Sequence, residues 1–64
     1  MEIHEAQRGA RVRVGVGHRK VELRGALGTV RQIWGNHNYH TALLVRLEEE
    51  ERYELFWLHE LDLA

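Results

Sequence analysis

The 64-residue chain contains no cysteine, no proline and no serine. Without cysteine no disulfide can brace the fold, and no thiolate is available to a zinc finger, an iron–sulfur cluster or a redox pair. The missing disulfides fit a reducing compartment, and Met1-Glu2-Ile3-His4-Glu5 lacks the basic-then-apolar run of a secretory signal, so the chain reads as cytoplasmic. The hydroxyl nucleophiles reduce to Thr29 and Thr41, both inside stretches that read as strands, and neither sits beside a base. Long hydrophobic runs are lacking as well. The longest uncharged stretch, 32–45, holds Gly35, Asn36, His37, Asn38 and His40, and approaches no membrane span. A chain of this length has room for one core and buries only about 60% of the surface its unfolded form exposes. A domain so small is filled by its own side chains and leaves no cavity for a small-molecule substrate or a cofactor. The expectation is a binding module that is not an enzyme.

What is present is charge, unevenly placed. The net charge of −1 conceals a basic first half, with Arg8, Arg11, Arg13, Arg19, Lys20, Arg24 and Arg31 against the single acid Glu22 between Arg8 and Arg31. Seven of the ten acids lie from Glu48 onward. Two readings follow from this asymmetry. Either strands of opposite sign pair across a small sheet, or a basic face meets an acidic protein or a phosphate backbone.

Residues 1–8 read as an N-terminal arm and 9–64 as the folded domain. Arg11 to Val16 alternates valine with arginine or glycine, as a half-buried strand does. The polar, basic stretch from Gly17 to Arg24 reads as a long loop. Leu27 to Trp34 is rich in β-branched and aromatic residues and ends at the turn-forming Gly35-Asn36-His37-Asn38. Tyr39 to Leu47 forms a third strand with Leu43, Val45 and Leu47 on one face. Glu48 to Glu51 reads as a charged turn, because the apolar residues after it are bunched and make no helical stripe. Arg52 to Leu58 is then a fourth strand, and His59 to Ala64 a tight turn with a final short strand. Five short strands around one long loop predict an all-β fold, a small closed barrel that removes exposed edges. The inward set is Val12, Val14, Leu27, Val30, Ile33, Leu43, Val45, Phe56, Leu61 and Leu63.

Leu23-Arg24-Gly25-Ala26-Leu27-Gly28-Thr29-Val30 has the form L-basic-G-x-x-G-x-V. Two glycines at this spacing suit a sharp lead-in to a strand, where a side chain would clash or φ must be positive. That segment resembles the loop-to-strand junction of five-stranded SH3-like barrels. Together with Arg11-Val12-Arg13-Val14, Leu43 to Leu47 and His59-Glu60-Leu61-Asp62-Leu63, the order of elements resembles the variable chain of ferredoxin–thioredoxin reductase. A small accessory chain of photosystem I and the nitrile hydratase β-subunit domain are more distant likenesses. The resemblance implies a non-catalytic accessory chain that docks a protein partner, with any redox cofactor in the other subunit. Val12 to Val30 is also similar to a KOW motif, which implies nucleic-acid or ribosome association as the alternative.

The aromatic residues supply candidate binding positions. Trp34 and Tyr39 flank the turn at Gly35 to Asn38, while Phe56 and Trp57 are adjacent and point to opposite faces of one strand. The resemblance at His59-Glu60-Leu61 places Phe56 in the core and Trp57 on the surface, whereas simple alternation with Tyr53 and Leu55 argues the reverse. The candidate partner-binding set is Arg19, Lys20, Arg24, Arg31, Trp34, Tyr39 and Trp57, a mixed aromatic and basic patch suited to an acidic protein. The opposing reading has both tryptophans closing the ends of an undersized core. His37 and His40 supply at most two ligands of the roughly four a tetrahedral metal site needs, so no metal site is expected, and Asn36, His37 and Asn38 read as a polar turn whose side chains bond their own backbone. Gly15-Val16-Gly17 lacks the Gly-Lys-Ser/Thr and the helix of a phosphate loop.

Overall fold

Alternate valines bury and alternate arginines face water along Arg11–Val14, the period-two pattern of a strand with one face on a core. In the computed structural model, which describes residues 1–35 and 41–64, this segment is β1. It is followed by β2 (Leu27–Trp34), β3 (Ala42–Leu47), β4 (Arg52–Trp57) and β5 (Leu61–Leu63), with single 3-10 turns at Ile3–Glu5, Val21–Leu23 and Leu58–Glu60. The strands are antiparallel in the order β4-β3-β2-β1-β5. No α-helix occurs among the described residues. A register shift between Val30 and Gln32 marks a bulge in the long β2. A bulge bends its strand and raises its twist, which lets both ends of the sheet cover one core of Val12, Val14, Leu23, Val30, Leu43, Val45, Leu47, Phe56 and Leu61. The molecule is a small five-stranded SH3-like barrel, all-β, with its long loop between β1 and β2 and a 3-10 turn before β5.

The two glycines ahead of β2 are required for different reasons. Gly25 has φ +76° and open space around it, so backbone conformation selects it. Its N–H donates to the Val14 carbonyl at 2.9 Å, which closes the long loop onto β1. Gly28 is buried between β2 and β3, where a Cβ would stand 2.5 Å from Val45 Cγ1 and 2.7 Å from the Arg46 carbonyl oxygen. Steric contact selects that glycine.

β2 spans the expected residues, and β3, expected from Tyr39, is described from Ala42 because 36–40 lie outside the described residues. β1 ends two residues early: the Gly15 N–H turns away to the Glu60 carbonyl at 2.9 Å. Two core expectations are corrected. Leu27 is half-buried, because inward Gly28 and Val30 put it in the outward phase of β2. Leu63 is 47% exposed; it pairs with Val12 at the outermost strand, where no further strand covers it. Leu23, absent from the expected inward set, is buried by the 3-10 turn that carries it. The arm is docked rather than loose, since Met1 and Ala6 pack on the core and the Met1 ammonium donates to the Leu61 carbonyl at 2.9 Å.

Candidate functional site

The long loop is fastened by a buried histidine. His18 Nδ1 accepts the Lys20 backbone N–H at 3.0 Å, and His18 Nε2 faces Glu60 Oε2 at 2.9 Å. With Nδ1 accepting, Nε2 carries the hydrogen and donates to the carboxylate. The other oxygen of Glu60 accepts the Trp57 N–H at 2.8 Å, so one carboxylate ties the loop to the turn before β5. The imidazole also meets the Phe56 ring edge-on, with centroids 5.4 Å apart. Both ring nitrogens are engaged, which leaves His18 no lone pair for a metal or a proton transfer. Glu60→Ala strands a buried donor and is expected to cost about 1–3 kcal/mol, read as a lower urea midpoint with an unchanged slope.

The surface features that suit recognition lie on the outer face of β2, β3 and β4. Register aligns them in three cross-strand rows. Trp34, Ala42 and Trp57 form the first, Gln32, Leu44 and Leu55 the second, and Thr29, Arg46 and Tyr53 the third, with Arg11 continuing the third onto β1. Trp34 is 52% exposed, Tyr53 52%, Leu55 60% and Trp57 46%. Directly opposed side chains on adjacent strands sit about 5 Å apart, so these residues are contiguous. Ala42, the smallest of them, stands between Trp34 and Trp57 in the first row. Single exposed apolar residues are ordinary, whereas these four lie side by side on one face.

Cations border the patch. Arg31 lies in the β2 bulge beside Gln32, and with Arg8, Gly9, Thr29 and Val30 it lines a hollow of about 350 Å³. Among the described residues neither Arg8, Arg31 nor Arg46 forms a salt bridge, whereas Arg11 is paired with Glu48 at 2.6 Å. Part of the basic half is therefore neutralised by the acidic half, and part is not.

The structure brings together some of the sequence candidates. Trp34 and Trp57 share one row and Arg31 stands at its margin, while Tyr39 lies outside the described residues, as do His37 and His40. Arg19, Lys20 and Arg24 are on the loop, outside the three rows. Lys20 Nζ lies 3.4 Å from Glu54 Oε2, a side chain of the inner face of β4, and Arg24 Nε donates to the His18 carbonyl at 2.6 Å. Leu44, Arg46, Tyr53 and Leu55 were not among the sequence candidates. Leu44 and Arg46 carry the signal of the β3 alternation, opposite Leu43, Val45 and Leu47, and Tyr53 and Leu55 that of the β4 alternation once Phe56 is placed inward; the register of β3 and β4 joins the two sets into a surface. No described helix is long and apolar enough to cross a membrane. Comparison with protein families, with curated proteins and with solved structures gives no match.

Proposed function

We propose that this chain is a non-catalytic docking module that binds a protein through the outer face of β2, β3 and β4. The partner presents apolar side chains bordered by carboxylates. The observation that supports this reading is the row Trp34–Ala42–Trp57, two half-exposed indoles on either side of an alanine, continued by Leu44 and Leu55. Tryptophan and tyrosine at the centre of such a face are the residues that dominate interface energetics. Arg31, Arg8 and Arg46, free of salt bridges among the described residues, supply charge complementarity and steer association.

Nucleic-acid binding is the weaker reading on the same face. The middle row, Gln32–Leu44–Leu55, carries no cation for a phosphate and no ring for a base to stack on. An aliphatic strip between aromatic rows fits a protein side-chain surface better. Affinity capture from the cells that make the chain tests the choice. Wild type and Arg19→Glu are expected to retain the same stoichiometric protein. Trp57→Ala should weaken its binding by about thirtyfold, the loss typical of a central anchor. Equal retention by Trp57→Ala, or recovery of RNA in place of a protein, overturns the proposal.

A further inference from the structure

We propose that Arg8 and Arg31 form a binding site for a phosphate monoester group, carried by a free ion or by a phosphorylated side chain. The site borders the docking face but does not rest on it, because a single oxyanion is its ligand and the isolated chain binds that ion.

Two irregularities on either side of Val30 build the site. The Gly9 N–H donates to the Val30 carbonyl at 2.7 Å and the Val30 N–H donates to the Ala10 carbonyl at 2.9 Å, so two residues ahead of β1 oppose one residue of β2. Gly9, at φ +91°, is the left-handed glycine that this kind of bulge needs. The Ala10 N–H donates to the Gln7 carbonyl at 3.0 Å, which closes a turn with Arg8 and Gly9 at its corner. Toward β3, the register shift after Val30 leaves Arg31 as the extra residue of β2. Arg31 and Gln32 are both exposed as a result, where regular alternation would turn one of them inward. Bulges re-aim side chains. These two bring Arg8 and Arg31 to one hollow of about 350 Å³, whose wall Gly9, Thr29, Val30 and Gln32 complete. Gly9 adds no side chain to that wall, and open space lies where its Cβ would be.

The charge around the hollow is one-sided. Its wall holds two arginines and no carboxylate. Elsewhere an arginine in a hollow already has acids beside it: Arg19 shares one with Glu60, and Arg24 shares another with Glu22, Glu48 and Glu49. Among the described residues neither Arg8 nor Arg31 forms a salt bridge, whereas Arg11, Lys20 and Arg52 do. Two guanidinium groups on one hollow repel each other, and an anion between them offsets that repulsion.

The number and geometry of the donors select the ligand. Each guanidinium presents a fork of parallel N–H groups, and one fork already occupies both oxygens of a carboxylate. A phosphate monoester carries three acceptor oxygens and a charge of about −1.5 to −2 at pH 7, so it accepts from both forks at once. The Thr29 hydroxyl and the Gln32 amide line the same hollow and add neutral donors. A phosphodiester has one charge and two free oxygens, which leaves one fork without an acceptor.

Titration of the ¹⁵N-labelled chain with inorganic phosphate, at constant ionic strength and about pH 7.5, where the second proton is largely lost, tests the site. Saturable shifts are expected at the amides of Arg8, Gly9, Thr29, Arg31 and Gln32, with a Kd of about 1 mM or below. Arg8→Gln and Arg31→Gln, both at exposed positions, should each weaken binding about tenfold or more, the loss expected for a charge-assisted hydrogen bond. Arg13→Gln removes the same charge from the exposed side of β1, outside the hollow, and should leave the Kd unchanged. A short phosphoserine peptide titrated in parallel identifies the source. Tighter binding than inorganic phosphate assigns the site to a modified protein side chain, and weaker binding to a free ion. The absence of a saturable shift with either probe, an equal response to acetate, or a loss in Arg13→Gln as large as that in Arg31→Gln overturns the proposal.

Discussion

Gly28→Ala is expected to lower the melting temperature by more than about 10 °C. The added Cβ would stand 2.7 Å from the Arg46 carbonyl oxygen, and backbone of the neighbouring strand cannot yield as the end of a flexible side chain can. Val45 Cγ1, at 2.5 Å, belongs to a fully buried side chain and has nowhere to go. β2 and β3 must separate at the Gly28–Leu47 pair, at a cost of about 3 kcal/mol, the upper part of the range for overpacking. In a domain this small, 1 kcal/mol moves the midpoint by about 4–8 °C. Gly17→Ala is the matched control. Gly17 has open space where its Cβ would be and no positive φ, so its midpoint should move by no more than about 0.5 kcal/mol allows. Thermal melts followed by circular dichroism separate the two. Equal, small shifts would show that the close approach of β3 is not required.

Phe56→Ala is expected to leave much of the population unfolded at 25 °C. Phe56 is the only phenylalanine and, among the described residues, the largest fully buried side chain, and it meets the imidazole of His18 edge-on. Truncating such a ring costs about 3–5 kcal/mol through lost transfer and the cavity left behind. A chain of this length has about 3–10 kcal/mol in total, from the usual stability per residue. The loss also removes the wall against which His18 packs, so the β1–β2 loop should come loose with it. Amide hydrogen exchange at His18 and Lys20 should rise together with that of the core. Protected loop amides in a destabilised Phe56→Ala would separate the loop from the core and contradict this coupling.

Strand positions were legible in the sequence wherever local chemistry decided them. Leu27 to Trp34 is bounded by turn glycines at Gly25 and Gly35, and its ends agree with β2. The two glycine explanations, positive φ and steric contact, both hold, one at Gly25 and the other at Gly28. What depended on distant partners was not legible. The bulge at Arg31 shifts the phase of β2, so that Val30 and Ile33, three residues apart, both face the core, while Leu27 at the same spacing does not. His18 is buried because Glu60, far away in sequence, meets it, and nothing near His18 announces that carboxylate. Trp57 lies on the surface and Phe56 in the core, the arrangement the resemblance at His59-Glu60-Leu61 implies. The loop cations were grouped with the aromatics because loop and strand are both basic, yet Lys20 and Arg24 turn toward Glu54 and the His18 carbonyl. Charge sign is visible in a sequence, whereas the face that carries it depends on how the loop folds back.

The docking face is the central claim, and amide chemical-shift mapping tests it most directly. The ¹⁵N-labelled chain would be titrated with the protein recovered by affinity capture, and with a single-stranded oligonucleotide in parallel. A docking face on β2, β3 and β4 predicts that the protein shifts or broadens Trp34, Leu44, Arg46, Tyr53, Leu55 and Trp57, together with both indole N–H signals, and leaves 17–24 in place. Shifts confined to the 17–24 loop, or an oligonucleotide response across the three rows with none from the protein, would contradict it.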